Sequence, residues 1–232
     1  MNLESLKTVI VPIHREGWFF IAIGCVVTFL LMLLSTFLGC VGAVITAWMA
    51  YFFRDPKRVT PIREGLIISP ADGLVSLIKN VVPPKELGLG KEECVRVSVF
   101  LNIFDVHINR IPADGTIIKS HYHAGTFVNA SLDKASDHNE RHMLTLETKN
   151  KTKIGFVQIA GLIARRIRCD VSEGQQVLAG QQYGLIRFGS RCDVFLPKGS
   201  NVLVIVGQRV LGGESVISDL SSKEPSRIGE IR

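Results

Sequence analysis

The sequence predicts a mainly β protein that carries a hydrophobic helical hairpin at its N-terminus. From Gly65 onward, short apolar runs alternate with Gly, Pro and Asp turns, and long helical periodicity is largely absent. Before that point, an uncharged apolar stretch extends from Trp18 to Phe53. The 232 residues are enough for one sizeable domain plus one additional element. We therefore expect a hairpin with a basic collar over residues 1–58 and a barrel-sandwich-like β domain over residues 59–232.

The uncharged stretch is roughly 36 residues long, whereas one membrane-spanning helix needs about 20. The small, Gly-containing segment 35–40 in its middle predicts two short helices, over about 18–34 and 39–53, joined by a tight turn. The stretch is too long for a signal peptide, and no small-residue cleavage site follows it. A hairpin that spans the bilayer, a hairpin that dips into one leaflet and a buried soluble helical hairpin are the alternatives.

Positive charge flanks both outer ends of the hairpin, whereas its central turn has none. The basic residues are Lys7, His14 and Arg15 before the hairpin and Arg54, Lys57 and Arg58 after it. By the positive-inside rule, both ends are expected on the cytoplasmic face of the cell membrane. The collar after the hairpin either contacts anionic headgroups or is simply a stop signal. The net charge of +6 fits an anionic partner, which we expect to be a membrane surface rather than nucleic acid.

The β region is predicted from six apolar runs separated by turn residues. They are residues 66–68, 74–78, 95–100, 115–119, 143–147 and 154–159. Two segments also recur, since Pro70–Val75 is similar to Pro112–Ile117, and Gly174–Gln181 is similar to Gly207–Glu214. Each repeat is a turn followed by a strand that cannot bury a face alone, so the repeats indicate one shared β core. The five cysteines include no C-x-x-C pair and predict reduced thiols.

Two polar residues in the β region are candidates for proton chemistry. Asp72 precedes a glycine in a turn, as does its repeat partner Asp114, so it is either a turn carboxylate or a functional group. His107 lies between Asp105 and Asn109, and in an extended segment these three side chains project to the same face. An imidazole there suits proton transfer near neutral pH, whereas a structural histidine bonded to the backbone is the alternative.

Further polar groups indicate substrate contacts rather than a metal site. His121 and His123 form a His-x-His pair, but the carboxylates are too dispersed to complete a metal motif, so we predict no metal. Arg165 and Arg166 end an apolar, Gly-broken segment, and their planar guanidinium groups suit phosphate recognition. The alternatives are plain surface for the histidines and a buried strand with an exposed end for the arginines. The charged loop 137–142, which precedes a strand, is a further candidate for the chemistry, and a solvated turn is its alternative.

The dipeptide Gly189-Ser190 lies between two short apolar strands, and alone it predicts only a turn. A second interpretation is a self-cleavage site at the peptide bond between the two residues. Because Gly189 has no Cβ, its carbonyl is open to close approach and its backbone tolerates strained geometry. The hydroxyl of Ser190 can then attack that carbonyl, provided that a base takes its proton.

Several segments, taken in order, resemble the phosphatidylserine decarboxylase proenzymes of the short bacterial and archaeal type. The matching segments are Phe52–Pro56, Ser69–Gly73, Asp105–Arg110, Asn139–Arg141, Gly161–Ile167 and Phe188–Ser190. They cover nearly the whole chain, and their joint order and spacing carry the resemblance. Long members of the family have Leu-Gly-Ser-Thr at the cleavage site, whereas this chain has the Phe-Gly-Ser-Arg of the short type at residues 188–191.

The resemblance implies that the chain makes its own cofactor. Ser190 attacks Gly189, the resulting ester undergoes β-elimination, and hydrolysis of the dehydroalanine leaves a covalent pyruvoyl group at position 190. The products are a β chain, residues 1–189, and an α chain, residues 190–232, which are expected to stay associated in one β core. The pyruvoyl group forms a Schiff base with the serine amine of phosphatidylserine and acts as an electron sink. Carbon dioxide leaves, phosphatidylethanolamine is released, and no diffusible cofactor is needed.

The family uses an Asp–His–Ser arrangement for self-cleavage, and its Asp and Ser match Asp72 and Ser190. The histidine is ambiguous, because His107 matches the first of two histidines that long-type members carry three residues apart, while the second position is Arg110. The resemblance thus implies that His107 serves in self-cleavage, in decarboxylation or in both. The His-x-His pair remains an alternative source of the imidazole.

Two other functions are compatible with the sequence alone. A pyruvoyl decarboxylase of a soluble amino acid needs no membrane anchor, so the apolar hairpin argues against it. A non-catalytic, membrane-anchored barrel-sandwich adaptor or carrier would leave the bond between Gly189 and Ser190 intact. This chain has no lysine tip of the kind that a swinging-arm carrier uses, which argues against a carrier. The expected partners are phosphatidylserine, membrane lipid and further copies of the chain in a homo-oligomer.

Overall fold

A computed structural model describes residues 11–125, 139–161, 166–187, 189–225 and 227–230. The chain divides into two compact units, Met1–Lys57 and Arg58–Arg232. The first unit contains two apolar helices, α1 (Arg15–Leu34) and α2 (Thr36–Phe52). Only Ser35, in an extended conformation, separates them. The predicted pair of apolar helices is therefore confirmed, but the predicted turn over residues 35–38 is too long.

Small residues allow α1 and α2 to pack closely. Gly39 stays within α2, and a Cβ at that position would lie 2.8 Å from a side-chain atom of α1. Gly24 and Gly42 are likewise buried. The Oγ1 atoms of Thr28 and Thr46 lie 3.0 Å apart between the helices. Close approach of small residues is a common packing mode of helices in lipid, and α1 is long and apolar enough to cross a membrane by length and composition.

The second unit is built mainly from β-strands, which confirms the predicted fold class. Its strands are β1 (Leu66–Ile68), β2 (Gly73–Val81), β3 (Cys94–Leu101), β4 (Ile108–Arg110), β5 (Gly115–His123), β6 (Arg141–Glu147), β7 (Lys153–Ala160), β8 (Ile167–Cys169), β9 (Gln176–Val177), β10 (Gln182–Ile186), β11 (Ser190–Leu196), β12 (Asn201–Val202), β13 (Arg209–Val210) and β14 (Val216–Asp219). A short 3-10 helix covers Lys85–Leu87. All six apolar runs that predicted strands lie in β1, β2, β3, β5, β6 and β7.

One antiparallel sheet of eight strands organises this unit. Its strand order is β13-β2-β3-β11-β7-β6-β5-β9, and two three-stranded sheets, β1-β14-β12 and β4-β10-β8, accompany it. The order is symmetric, because β13-β2-β3-β11 is matched in reverse by β9-β5-β6-β7. The repeats in the sequence are therefore repeats in the structure, and they meet where β11 lies beside β7.

The two Asp-Gly turns show the same symmetry in their hydrogen bonds. Asp72 Oδ1 accepts from the backbone N–H of Gly212 at 2.7 Å. Asp114 Oδ1 accepts from the backbone N–H of Ala179, also at 2.7 Å. Gly212 and Ala179 occupy equivalent positions in the second repeated segment. Each aspartate therefore caps a turn from the other repeated segment rather than its own backbone.

The central strand β11 is buried along its whole length. Its first residue, Ser190, pairs with Leu101 of β3 on one side and with Ala160 of β7 on the other. Alternate side chains of β11 enter the main hydrophobic core. On the opposite face, Arg191 and Asp193 form a buried ion pair, with Nε and Oδ1 2.9 Å apart. The fold thus fixes position 190 at the start of an enclosed strand.

Candidate active site

The junction between β10 and β11 holds the Gly-Ser dipeptide. Gly189 has a φ of 64°, in the left-handed region that other residues rarely adopt. A Cβ here would meet no atom within 4 Å, so the backbone conformation rather than space favours glycine. Ser190 is completely buried, and among the described residues no group hydrogen-bonds to its Oγ. A buried hydroxyl without a partner costs free energy, and among the described residues Ser98 and Tyr183 share this state. Ser190 differs from both because it directly follows Gly189.

A second Gly-Ser dipeptide shows what an ordinary turn looks like in the same chain. Gly199 has a φ of 78° and open space around its Cα, as Gly189 does. Ser200 differs from Ser190, because its Oγ donates to the carbonyl of Pro197 at 2.7 Å and closes the turn. The unpartnered hydroxyl therefore distinguishes the dipeptide at 189–190 from a structural turn.

His107 lies beside Gly189, although 82 positions separate them in the sequence. The backbone N–H of Gly189 donates to His107 Nε2 at 3.2 Å, and His107 Nδ1 lies 2.9 Å from the backbone carbonyl of Asp105. Because a carbonyl only accepts, these partners assign the proton to Nδ1 and leave a lone pair on Nε2. A buried, neutral imidazole thus presents its basic nitrogen next to the bond between Gly189 and Ser190.

The segment before His107 is a turn rather than the extended strand that the sequence predicts. β4 begins only at Ile108, and the N–H of Asp105 donates to the carbonyl of Asn102 at 3.0 Å. The Asp105 carboxylate accepts from the Asn102 N–H at 2.9 Å and pairs with Arg209. The prediction of one extended segment from Asp105 through His107 is therefore wrong. The turn instead aims the Asp105 carbonyl at the imidazole ring.

Asp72 is held in a neighbouring turn by a cation and a backbone donor. Its Oδ2 lies 2.6 Å from Arg58 Nη2, and its Oδ1 accepts from the Gly212 N–H. Burial raises the pKa of Asp72 by more than Arg58 and the Gly212 N–H lower it, and the Asp105 carboxylate adds to the rise. Both carboxylate oxygens have partners other than His107. The described partner of His107 Nδ1 is the Asp105 carbonyl, whereas Arg58 and the Gly212 N–H hold the Asp72 carboxylate.

Two arginines occupy structural positions that the sequence did not indicate. Arg58, which we predicted as part of the basic collar, is nearly buried against Asp72, so its guanidinium group is not available to lipid headgroups. The collar interpretation is wrong for this residue. Arg110, at the position of the second histidine of long-type members, donates from Nη1 to the carbonyl of Gly180 at 2.9 Å.

A polar cluster lies on the same face of β11 as Ser190. Asn109 Nδ2 donates to Cys192 Sγ at 3.3 Å, and Gln158 Nε2 donates to Asn109 Oδ1 at 2.8 Å. Burial raises the pKa of the Cys192 thiol far above its usual value, so the thiol stays protonated. No sequence pattern points to Gln158 or Cys192, because an amide and a thiol on apolar strands form no motif.

The segment before β6 supports Ser190 through β7. Asn139 Nδ2 donates to the carbonyl of Ala160 at 2.7 Å, and Ala160 is the β7 residue that pairs with Ser190. Asn139 and Glu140 are both buried. The alternative of a solvated turn is therefore wrong for these two residues, while residues 137–138 lie outside the described part of the chain.

The structure does not bring the His-x-His pair to Ser190. His121 and His123 lie on β5, three strands from β11 in the sheet order, which corresponds to about 14 Å along the sheet. Neither ring is in place to take a proton from the serine hydroxyl. Across the described residues, no three His, Cys, Asp or Glu side chains converge as a metal ion requires. Arg166 is exposed beside β8, whereas Arg165 and Phe188 lie outside the described residues.

A cleft of about 700 Å³ lies elsewhere in the second unit. Its lining includes Arg63, Lys149 and Asn150. The cleft borders the turn between β6 and β7, whereas Ser190 pairs with Ala160 at the far end of β7. It is therefore not part of the candidate active site.

The fold and the site together define a class of protein. It is a mainly β protein in which a buried serine and a neutral imidazole lie next to one peptide bond of the same chain, between Gly189 and Ser190. Comparison with known proteins then identifies the family. The sequence profile described as "Phosphatidylserine decarboxylase" matches residues 45–218. The chain is 54% identical, over 100% of both sequences, to the phosphatidylserine decarboxylase proenzyme of Cereibacter sphaeroides. It is 57% identical to the proteins of that name from Rickettsia akari and Rickettsia africae, over 91% of this chain and 92% of each relative. The chain belongs to the phosphatidylserine decarboxylase family.

Proposed function

We propose that the chain is a self-processing, pyruvoyl-dependent decarboxylase that converts phosphatidylserine to phosphatidylethanolamine and carbon dioxide. Its family supports the reaction and the substrate, and the name "proenzyme" of its relatives supports a processing step. One observation carries the assignment of the site. It is the 3.2 Å hydrogen bond from the Gly189 N–H to His107 Nε2, which puts a base beside the Gly-Ser peptide bond.

His107 is the base for Ser190 in this proposal. Its Nε2 keeps a lone pair, because the Nδ1 proton is committed to the Asp105 carbonyl. Among the described residues the Ser190 Oγ has no hydrogen-bond partner, so its deprotonation breaks no existing bond. The contact requires Nε2 to turn from the Gly189 N–H to the hydroxyl of the next residue. Such contacts often tighten only in the reacting state.

Cleavage then follows from atoms that the chain itself supplies. The deprotonated Oγ of Ser190 bonds to the Gly189 carbonyl carbon, the peptide C–N bond breaks, and the Ser190 nitrogen becomes a free amine. Loss of the Cα proton of residue 190 breaks its Cβ–Oγ bond, and Gly189 leaves as the carboxylate end of the β chain. Water replaces the nitrogen, ammonia departs, and a ketone remains at the start of the α chain. The left-handed conformation of Gly189 leaves its carbonyl unshielded by a Cβ.

The surroundings of position 190 fit a pyruvoyl group. Sheet pairing to Leu101 and Ala160 holds the backbone of that position. When present, the group supplies a ketone that takes up the substrate amine and draws electrons from the bond to the departing carboxylate. We also assign to His107 the return of a proton to the substrate carbon, because its Nε2 accepts from the N–H of Gly189, next to position 190. The Asn109 and Gln158 amides keep the neighbouring interior polar.

Asp72 acts indirectly in this proposal. Its carboxylate holds Arg58 and the Gly212 N–H, and it lies close enough to Asp105 for their charges to interact. Asp105 in turn holds the imidazole through its backbone carbonyl. Loss of Asp72 is therefore expected to disturb the turn that positions His107.

We also propose that the two products form one membrane-associated complex on the cytoplasmic face. After cleavage, β11 of the α chain still pairs with β3 and β7 of the β chain. The apolar helix α1 supports membrane association, and the basic residues Arg15, Arg54 and Lys57 at the hairpin ends support the cytoplasmic side. Arg165 and Arg166 remain our candidates for the substrate phosphate.

The test combines fragment analysis with a decarboxylation assay on the purified chain. Wild type is expected to yield a C-terminal fragment of 43 residues, from Ser190 to Arg232, and to release carbon dioxide from phosphatidylserine. Ser190→Ala should give an intact, inactive chain. The matched variant Ser200→Ala alters the structural Gly-Ser turn and should still be cleaved. Carbon dioxide release by an intact Ser190→Ala chain would refute the proposed function.

A further inference from the structure

An apolar turn lies beside the candidate active site. It is formed by Asn102–Asp105, and its two middle residues, Ile103 and Phe104, are exposed, with 56% of the Phe104 surface accessible. The backbone N–H of Phe104 donates to Asn102 Oδ1 at 2.8 Å, and Asn102 and Asp105 are bonded to each other across the turn. Hydrogen bonds thus fix a conformation in which two apolar side chains face solvent.

More exposed apolar side chains adjoin this turn. Leu74 on β2 and Leu211 just after β13 are both exposed. Arg209 lies between these leucines and the turn. It is the cross-strand partner of Leu74, and its guanidinium group pairs with Asp105 of the turn. We call this surface the interfacial patch; its members are Leu74, Ile103, Phe104, Arg209 and Leu211. Single exposed apolar residues are ordinary, whereas a connected set beside a reaction centre marks a binding surface.

We propose that the interfacial patch rests on an anionic lipid bilayer and admits the lipid headgroup to position 190. The idea builds on the proposed function and adds the surface by which the catalytic unit meets its substrate. Arg209 supplies the charge complementarity: 61% of its side chain is exposed, and Asp105 engages only its Nη2. The remaining guanidinium N–H groups suit a lipid phosphate. The net charge of +6 favours the same partner.

The patch lies close in the chain to residues that flank position 190. Phe104 is three residues from Leu101, the strand partner of Ser190, and three residues from His107. Three Cα–Cα steps span at most about 11 Å. A serine headgroup projects from the bilayer surface on which the patch is proposed to lie, so docking brings it close to the residues that flank position 190 while the acyl chains stay in the membrane.

The first test measures insertion of the patch directly. In a chain with Trp18→Phe and Trp48→Phe, which removes both native tryptophans, Phe104→Trp provides a single fluorescent probe. We expect a blue-shifted emission, and quenching by brominated acyl chains, with vesicles of phosphatidylcholine and phosphatidylglycerol. Leu178→Trp is the matched control, because Leu178 is 66% exposed and lines the remote cleft. The Leu178→Trp probe should show neither the blue shift with vesicles nor the quenching by brominated acyl chains.

Each result of this measurement supports or overturns the proposal. Equal responses of the two probes, or no response of Phe104→Trp, overturn it. A shift that depends on protein concentration without vesicles also overturns it, because a second copy of the chain then covers the patch. The measurement is repeated with Ser190→Ala, so it remains valid even if the chain is never cleaved. Failure of the proposed function is thus distinguished from failure of this inference.

The second test separates membrane docking from chemistry. Phe104→Ser should raise the vesicle concentration needed for half-maximal decarboxylation by roughly tenfold, since less apolar surface enters the bilayer. The same variant should lose much less activity on dispersed short-chain phosphatidylserine. Equal losses on the two substrates would show a purely local structural effect and overturn the proposal, whereas Leu178→Ser should change neither assay.

Discussion

Replacement of His107 by glutamine tests the assignment of the base. A glutamine side chain reaches the place of Nε2, and its amide oxygen can still accept from the Gly189 N–H, but it is not a base. A positioned general base contributes roughly 10²–10⁴-fold to a proton-transfer step, which corresponds to about 3–5 kcal/mol of activation free energy. We therefore expect His107→Gln to cleave itself at least roughly a hundredfold more slowly than the wild type.

The assay follows the intact chain and its C-terminal fragment by denaturing electrophoresis and mass spectrometry after synthesis. His121→Gln and His123→Gln are the matched controls, because these rings lie on β5 and should be dispensable for cleavage. Thermal unfolding of each variant shows whether the fold persists at the assay temperature. Cleavage of His107→Gln at the wild-type rate would refute the reasoning. Normal cleavage with lost decarboxylation would confine His107 to the second stage.

Three further predictions concern the surroundings of the site. Gly189→Ala places a Cβ in a left-handed conformation at a cost of about 1 kcal/mol and should slow cleavage, whereas Gly199→Ala should cost similar stability and cleave normally; equal cleavage rates would contradict this. The pKa of Asp72 is raised in the folded state. We therefore compare the unfolding free energy of the Ser190→Ala chain with that of the same chain carrying Asp72→Asn as well. The advantage of the chain that keeps Asp72 should be greatest below pH about 4 and fall as the pH rises through the folded-state pKa. Urea unfolding across pH measures this difference, and a difference that grows with pH would contradict it. Asp193→Ala leaves the Arg191 guanidinium buried without its carboxylate and should cost about 3–5 kcal/mol of unfolding free energy. The double variant Arg191→Met/Asp193→Leu should cost less. A loss for Asp193→Ala smaller than that of the double variant would show that the pair is unimportant.

The strands and the helix pair were predictable because they depend on local patterns. Short apolar runs between turn residues located β3 and β7, and the absence of charge from Trp18 to Phe53 located the helices. The turn between the helices was predicted too long because the small, Gly-containing segment 35–40 suggested a break. The structure keeps Gly39 helical, since only a residue without a Cβ lets the two helices approach at that point.

The candidate site was predictable only in part. The motifs identified Ser190, Gly189 and His107, but their contacts depend on residues far apart in the sequence. No local pattern shows that Arg58 pairs with Asp72, or that the Gly189 N–H bonds to a ring 82 positions away. Likewise, the support of the imidazole by a backbone carbonyl leaves no trace in the sequence, because every residue has a carbonyl.

The most direct test of the central claim is the mass of the C-terminal fragment from purified wild-type protein. If Ser190 becomes a pyruvoyl group, the fragment from position 190 to Arg232 is lighter than the unmodified peptide by one ammonia molecule, and a hydrazine reagent adds to its end. A fragment with an unmodified serine amine, or a chain that stays intact under conditions where phosphatidylserine is decarboxylated, would contradict the account.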